Sequence, residues 1–224
     1  MNKTAFIAGA TAYTTRYVLE QPSDVQFRLW LRPDSPHFER FKDDPRVVIA
    51  ASDDQKALAD AMRGCQAVLS LIGTLRSRFK AENVNYESVD FGVNRAMIDA
   101  AVRAGIEHFL LMSSAGASPR GGAYLAAKYR AEQHLIASGL PHTIFRPAYL
   151  LGGERRFVPG VGALMAALGK LPGLGVLMDD WRPIPLEVLA WNYLRLIEYG
   201  PVNGVLRGRD LWQASRAALT KPGE

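Results

Sequence analysis

Short apolar, β-forming runs alternate with segments of helical periodicity along this 224-residue chain. The expected strands are Thr4–Ala8 (TAFIA), Val25–Leu31 (VQFRLWL), Val47–Ala50, Ala67–Ile72 (AVLSLI), His108–Met112 (HFLLM), His142–Arg146 (HTIFR) and a short Val205–Leu206. Between them lie a helix that Pro22 stops and helices at Gln55–Met62, about Val89–Ala104, about Ala123–Ala137 and about Leu186–Tyr199, with a last one from about Asp210. Val89, Val93, Met97 and Ala101 share one helical stripe, and Gly105 ends it as a C′ glycine. Strands that are apolar along their length and separated by helices imply a parallel sheet covered on both faces. The expected class is therefore α/β, a doubly wound parallel sheet, in one domain over residues 1–224. A Gly/Pro-rich stretch at about 151–183 reads as a small cap region, in which Phe157 to Met178 is a flexible lid over an apolar pocket.

Composition narrows the partners. Lys and Arg exceed Asp and Glu by 27 to 22, but the arginines are scattered, so no nucleic-acid stripe is expected. An anionic small ligand such as a nucleotide phosphate suits that balance. The N-terminus enters a strand at once without a signal-peptide core, and Lys170, Pro159 and Pro172 spoil Phe157–Met178 as a membrane span. With Cys65 the only cysteine, no intrachain disulfide can form, and a cytoplasmic location with a structural thiol is expected. His108 and His142 lack ligand-like spacing, so no metal is expected. Asp179-Asp180 reads as a solvated pair, and Trp181, Trp191 and Trp212 as packing residues.

The first strand runs into GATAYTT, Gly9 to Thr15 (Gly9, Ala10, Thr11, Ala12, Tyr13, Thr14, Thr15). A dinucleotide fold needs glycines here for a tight turn, for close approach of backbone to pyrophosphate, and for helix packing against the sheet. Gly9 is in place, while Ala12 and Thr15 hold the other two positions. The second strand ends in Leu31-Arg32-Pro33, and an arginine there suits a 2′-phosphate, which favours NADP over NAD. An ordinary turn needing one glycine, and a solvated Arg32, stand as the plainer alternatives.

Tyr124 and Lys128 in AYLAAKYRAE are spaced i, i+4 and project from one helical face. A nearby ammonium stabilises a phenolate, so the tyrosine can act as an acid or base near neutrality, and the lysine can also hold ribose hydroxyls. Ser113 and Ser114 end the fifth strand in MSSAG, where a hydroxyl can orient a substrate oxygen. A surface Tyr–Lys contact is the structural alternative.

Taken together, GATAYTTRYVLE, LRPDSP, LADAMRGCQAVLSLIGT, AAVRAGIEHFLLMSSAGASPR, AYLAAKYRAEQHLIASGLPHTIFRPAYLLG and RPIPLEVLA resemble the atypical short-chain dehydrogenase/reductases. The resemblance covers essentially the whole chain and is nearest to the NAD(P)-binding branch of TIP30-like and NmrA-like Rossmann proteins. It implies that Gly9 to Thr15 form the pyrophosphate loop, that Arg32 meets a 2′-phosphate, and that Ile72 and Gly73 lie along the adenosine ribose. It further implies a Ser114–Tyr124–Lys128 triad, with Ser113 as the alternative serine, and Arg146-Pro147 beside the nicotinamide. Three features depart from the family pattern: the loop lacks two glycines of GATGxxG, Ala51 (followed by Ser52 and Asp53) stands where an Asp is common, and Gln66 replaces another.

The expectation is an NADP-dependent oxidoreductase acting on a small, apolar carbonyl-type substrate. A non-catalytic NAD(P)-sensing or protein-binding regulator on the same fold is the alternative, and a protein partner stays open.

Overall fold

A computed structural model describes residues 3–152 and 180–219. Seven parallel strands form one sheet: β1 (Thr4–Ala8), β2 (Gln26–Leu31), β3 (Val47–Ile49), β4 (Ala67–Ser70), β5 (His108–Met112), β6 (His142–Arg146) and β9 (Gly204–Arg207). Their order is β3-β2-β1-β4-β5-β6-β9. The chain winds outward from β1 in one direction and from β4 in the other, so a crevice opens between the carboxyl ends of these two neighbours. The doubly wound class read from the sequence is the class observed.

The two-residue period of the strands divides the core. Phe6, Ala8, Val68, Phe109, Leu111 and Ile144 face one side, where Leu58, Met97, Ile98 and Leu135 cover them from α3 (Gln55–Met62), α5 (Asn94–Ala104) and α6 (Gly122–Ala137). Ala5, Ile7, Leu29, Leu69, Leu110 and Phe145 face the other, under Val18 of α1 (Tyr13–Glu20) and Leu189, Tyr193 and Ile197 of α7 (Leu186–Tyr199). Each fully buried Leu, Ile or Phe contributes roughly 1.5–3 kcal/mol. Both faces are filled, which is why these strands read as continuous apolar runs.

Most differences from the expected elements fall around the crevice. Strand β4 stops at Ser70, not Ile72, because the chain turns away there and the Ile72 carbonyl accepts a side-chain hydrogen bond instead. The helix expected from Val89 begins at Glu87 with a wide π-helical turn through Val93, and α5 follows directly. Within that turn the Asn94 amide donates to the Asp90 carbonyl at 2.8 Å, and Ser70 donates to Asn94 Oδ1 at 2.6 Å. The 3₁₀ turn Arg76–Arg78, the short helices α2 (Phe38–Phe41) and α4 (Phe79–Glu82), and the two-residue parallel pair β7 (Leu150–Leu151) with β8 (Ile184–Pro185) were not expected. A final helix, α8, runs from Gly208 to Leu219. The expected cap at 151–183, including the lid at Phe157–Met178, lies largely outside the described residues.

Candidate functional site

Gly9 sits at φ +114°, and a Cβ there would come within 3.3 Å of the Leu71 backbone, so the first loop position tolerates only glycine. Ala12 is different. It is the N-cap of α1 at φ −67°, ψ 140°, a conformation alanine adopts freely. Its N–H donates to the Gly9 carbonyl at 2.9 Å. Thr15 is fully buried, and its hydroxyl donates to that same carbonyl at 2.7 Å. The two departures from the glycine pattern thus keep the tight turn, one by fitting its backbone angles and the other by tying it with a hydroxyl. No side chain caps the N-terminus of α1 and no acid lies in its first turn, which suits an anion there.

Thr11, Ala12, Tyr13 and Thr14 line one wall of a cavity of about 550 Å³, within the size range of small-molecule sites. Gly73, Ser113, Ser114, Tyr124, Lys128 and Pro147 line it too, so the loop and the proposed triad share one cavity. Lys128 is 2% exposed. Its ammonium donates to Ile72 O at 2.8 Å and Met112 O at 3.3 Å, beyond the ends of β4 and at the end of β5, and lies 3.1 Å from Asp90 Oδ1. The contact with Asp90 is an ion pair without hydrogen-bond alignment, so Oδ1 keeps unsatisfied acceptor capacity. Asp90 Oδ2 accepts the Thr74 N–H at 3.1 Å. Burial pushes the Asp90 carboxyl above its ordinary pKa, against the opposing pull of Lys128 and Thr74. A Cβ at Gly73 would lie 3.2 Å from Asp90 Oδ1 and 3.4 Å from Lys128 Nζ, so a larger residue would press on this ion pair.

The two serines are separated by their partners. Ser113 is buried and donates to the buried Glu132 carboxylate, which Arg146 also clamps through Nε at 2.8 Å and Nη2 at 2.5 Å. Ser114 is half-buried, and its hydroxyl has only a long 3.3 Å contact to the Ala115 carbonyl. Of the pair, Ser114 is the one with a hydroxyl free to meet a ligand. Pro147 lines the cavity, whereas the Arg146 guanidinium is held by Glu132.

A smaller cavity of about 140 Å³ adjoins the first, lined by Gly9, Ala10, Ile72, Gly73, Arg32, Ser35, Arg78 and Glu82 among others. Arg32 lies at its rim, 3.6 Å from Asp34 and 3.9 Å from Glu82. Sequence reasoning missed Thr74, Arg78, Glu82, Tyr86 and Asp90, all from the stretch between β4 and α5. Tyr86 packs against Tyr124 with ring centroids 5.1 Å apart, and against Phe79 at 4.8 Å.

Among the described residues, the remaining candidates line neither cavity, and Asp180, expected to be solvated, is ion-paired. Cys65 is buried and its thiol pKa is raised by burial. Asp180 pairs with Arg207 at 3.4 Å, and Asp179 lies outside the described residues. Trp191 and Trp212 stack under Arg195 and Arg182, and Trp181 is 45% exposed. Gln66 ties the start of β1, accepting the Thr4 N–H at 2.8 Å. Among the described residues no helix is long and apolar enough to cross a membrane, and no group of three metal-binding side chains occurs.

A family described as NAD(P)H-binding matches residues 9–162. The chain belongs to this NAD(P)H-binding family. Protein FMP52, mitochondrial, of Debaryomyces hansenii is 34% identical over 103 residues, 45% of each chain. The uncharacterized sugar epimerase YhfK of Bacillus subtilis is 33% identical over 119 residues, 49% of this chain and 50% of the relative. The chain thus matches about half the length of these curated relatives. Among solved structures, a putative NAD-dependent epimerase/dehydratase from Bacillus halodurans superposes with TM-score 0.65 at 18% identity, covering 96% of this chain and 100% of that one. The Bordetella bronchiseptica enzyme WbmH in complex with NAD+ gives TM-score 0.63 at 17% identity, covering 100% and 84%. These confirm a Rossmann fold, consistent with the NAD(P)H-binding family.

The residues present suit such a cofactor. Gly9 and Gly73 keep two close approaches clear, the α1 N-terminus is uncapped by side chains, Asp90 Oδ1 is an orphaned acceptor, and Arg32 and Ser35 line the cavity beyond.

Proposed function

We propose that this member of the NAD(P)H-binding family is an NADP-dependent oxidoreductase of the short-chain type, acting on a small carbonyl compound with an apolar or aromatic body. One observation carries the reading: Tyr124, the buried Lys128 and the uncommitted Ser114 line the same cavity as the loop at Thr11 to Thr14. A bound nicotinamide supplies or accepts a hydride. Tyr124 then donates a proton to the substrate oxygen, or takes one in the reverse direction, and Ser114 orients that oxygen. The Lys128 ammonium stabilises the phenolate, and Asp90 with the two carbonyls fixes where its charge stands. Leu75, Tyr86, Tyr149 and Leu186 on the cavity wall favour an apolar substrate. Arg32 and Ser35 favour the 2′-phosphorylated cofactor.

Titration with NADPH and NADH tests the first half of this reading, and millimolar cofactor without binding would overturn it. Tyr124→Phe should bind NADPH as the native protein does and lose turnover by about 100-fold or more. Unchanged turnover would remove Tyr124 from the chemistry. A second reading, a nucleotide-holding regulator without catalysis, draws support from Lys128. Two of its donors are held by backbone carbonyls and its charge is paired with Asp90, so the ammonium is committed to the protein before any ribose arrives. Cofactor binding with no turnover of any carbonyl substrate tried, in native protein and Tyr124→Phe alike, would favour it.

A further inference from the structure

The smaller cavity holds a conflict of charge. Arg32 and Arg78 both line it, and both are engaged by one carboxylate, that of Glu82. Arg78 Nε donates to Glu82 Oε1, while Arg32 Nη2 lies 3.9 Å from Oε2, close enough for an ion pair and too far for a hydrogen bond. Arg32 also leans on Asp34, its Nε 3.6 Å from Oδ1. Two guanidinium groups therefore face two carboxylates. All of this lies beside Gly9, Ala10 and Ile72, where the family's nucleotide would bring its adenosine end. Glu82 is not a loose surface acid, since its side chain is only 24% exposed and it is held at the cavity wall by Arg78.

We infer that Glu82 is a specificity-determining residue, an internal anion that occupies the Arg32–Arg78 pair and so weakens discrimination in favour of a 2′-phosphorylated adenosine. The inference rests on the proposed cofactor reading and deepens it. A 2′-phosphate carries close to two negative charges and has to share or displace Glu82 to reach either guanidinium. A plain 2′-hydroxyl meets no such repulsion and can donate to the carboxylate. NADPH binding is thus held below what two arginines alone would give, while NADH is tolerated. The residues at the end of β2 show Asp34 but not Glu82, which arrives from α4 about fifty residues later in the chain.

Glu82→Gln removes the charge and keeps an amide oxygen for Arg78. Dissociation constants of 2′,5′-ADP, 5′-AMP, NADPH and NADH are measured on native and variant protein, with thermal unfolding alongside. The expected result is a roughly 10-fold or greater tightening for 2′,5′-ADP and NADPH, the scale of one relieved like-charge contact. 5′-AMP and NADH should tighten less or weaken. A local loosening of α4 would shift all four ligands together, so an unchanged ratio of phosphorylated to unphosphorylated affinity overturns the inference. Should native protein bind neither dinucleotide, the cofactor reading itself fails. Binding of both with an unmoved ratio removes only the role of Glu82.

Discussion

Two segments meet at the cavity and were written into the sequence in opposite ways. The loop after β1, Gly9 to Thr15, carries its message in backbone requirements, since φ +114° at Gly9 and a neighbour 3.3 Å away leave one residue type. The stretch after β4, Gly73 to Asp90, carries its message in side chains that find partners far along the chain, as Asp90 finds Lys128 and Glu82 finds Arg32. Local rules can be read from one sequence, whereas pairings across about forty or fifty residues cannot. The loop announces what kind of fold this is, and the second stretch decides what the fold is able to hold.

The largest expected effect breaks the second region. Asp90→Ala leaves the Lys128 ammonium buried beside two carbonyls without a counter-charge, which should cost about 3–5 kcal/mol in denaturant unfolding. An Asp90→Leu, Lys128→Met double variant should recover most of that stability and no activity, which separates the pair's structural weight from its chemical one. A stable single variant would show that the two carbonyls suffice for Lys128.

Acid titrations of either region have to be read against His108, at the other end of the sheet. Its ring is buried, accompanied by Thr143 at 3.0 Å, and is pushed down to about 4 from 6.5. The folded protein keeps this ring neutral while the unfolded chain takes up a proton below its usual pKa. The stabilisation is complete above pH 6.5 and is lost as pH falls toward 4, by about 3 kcal/mol in total. In His108→Gln the slope across that window should flatten, and an identical slope would place the titrating group elsewhere.

Substitutions in the loop test its backbone character. Gly9→Ala should cost about 2 kcal/mol and weaken cofactor binding, because the left-handed angle and the Leu71 backbone both oppose a methyl group. Ala12→Gly moves the loop toward the family pattern and is expected to change stability by less than about 0.5 kcal/mol, since glycine frees the unfolded chain but is the better N-cap residue. A gain in stability and affinity from Ala12→Gly would mean that the alanine methyl obstructs the ligand.

The same division explains what was legible in the sequence. Strands β1, β5 and β6 have the expected ends because their apolar runs coincide with ladder pairing on both sides. Strand β4 ends earlier than its apolar run, because Ile72 leaves the ladder to serve Lys128. Spacing on one helix and the end of one strand pointed to Tyr124, Lys128 and the Ser113–Ser114 pair, all of which line one cavity. Asp90 sits in a π-helical turn, where the regular 3.6-residue period that exposes a helix's inner face no longer applies. Arg78, Glu82 and Tyr86 lie in short helical pieces too brief to show an apolar rhythm.

The hydroxyl of Thr15 has a bearing on how such chains are recognised. A fingerprint written as three glycines encodes a route for the main chain, and here one glycine, one compliant alanine and one tethering threonine follow that route. A strict three-glycine pattern would discard this chain, while one keyed to allowed torsions and a donor for the first carbonyl would keep it. In this chain the familiar spelling is lost and the turn it encodes is kept.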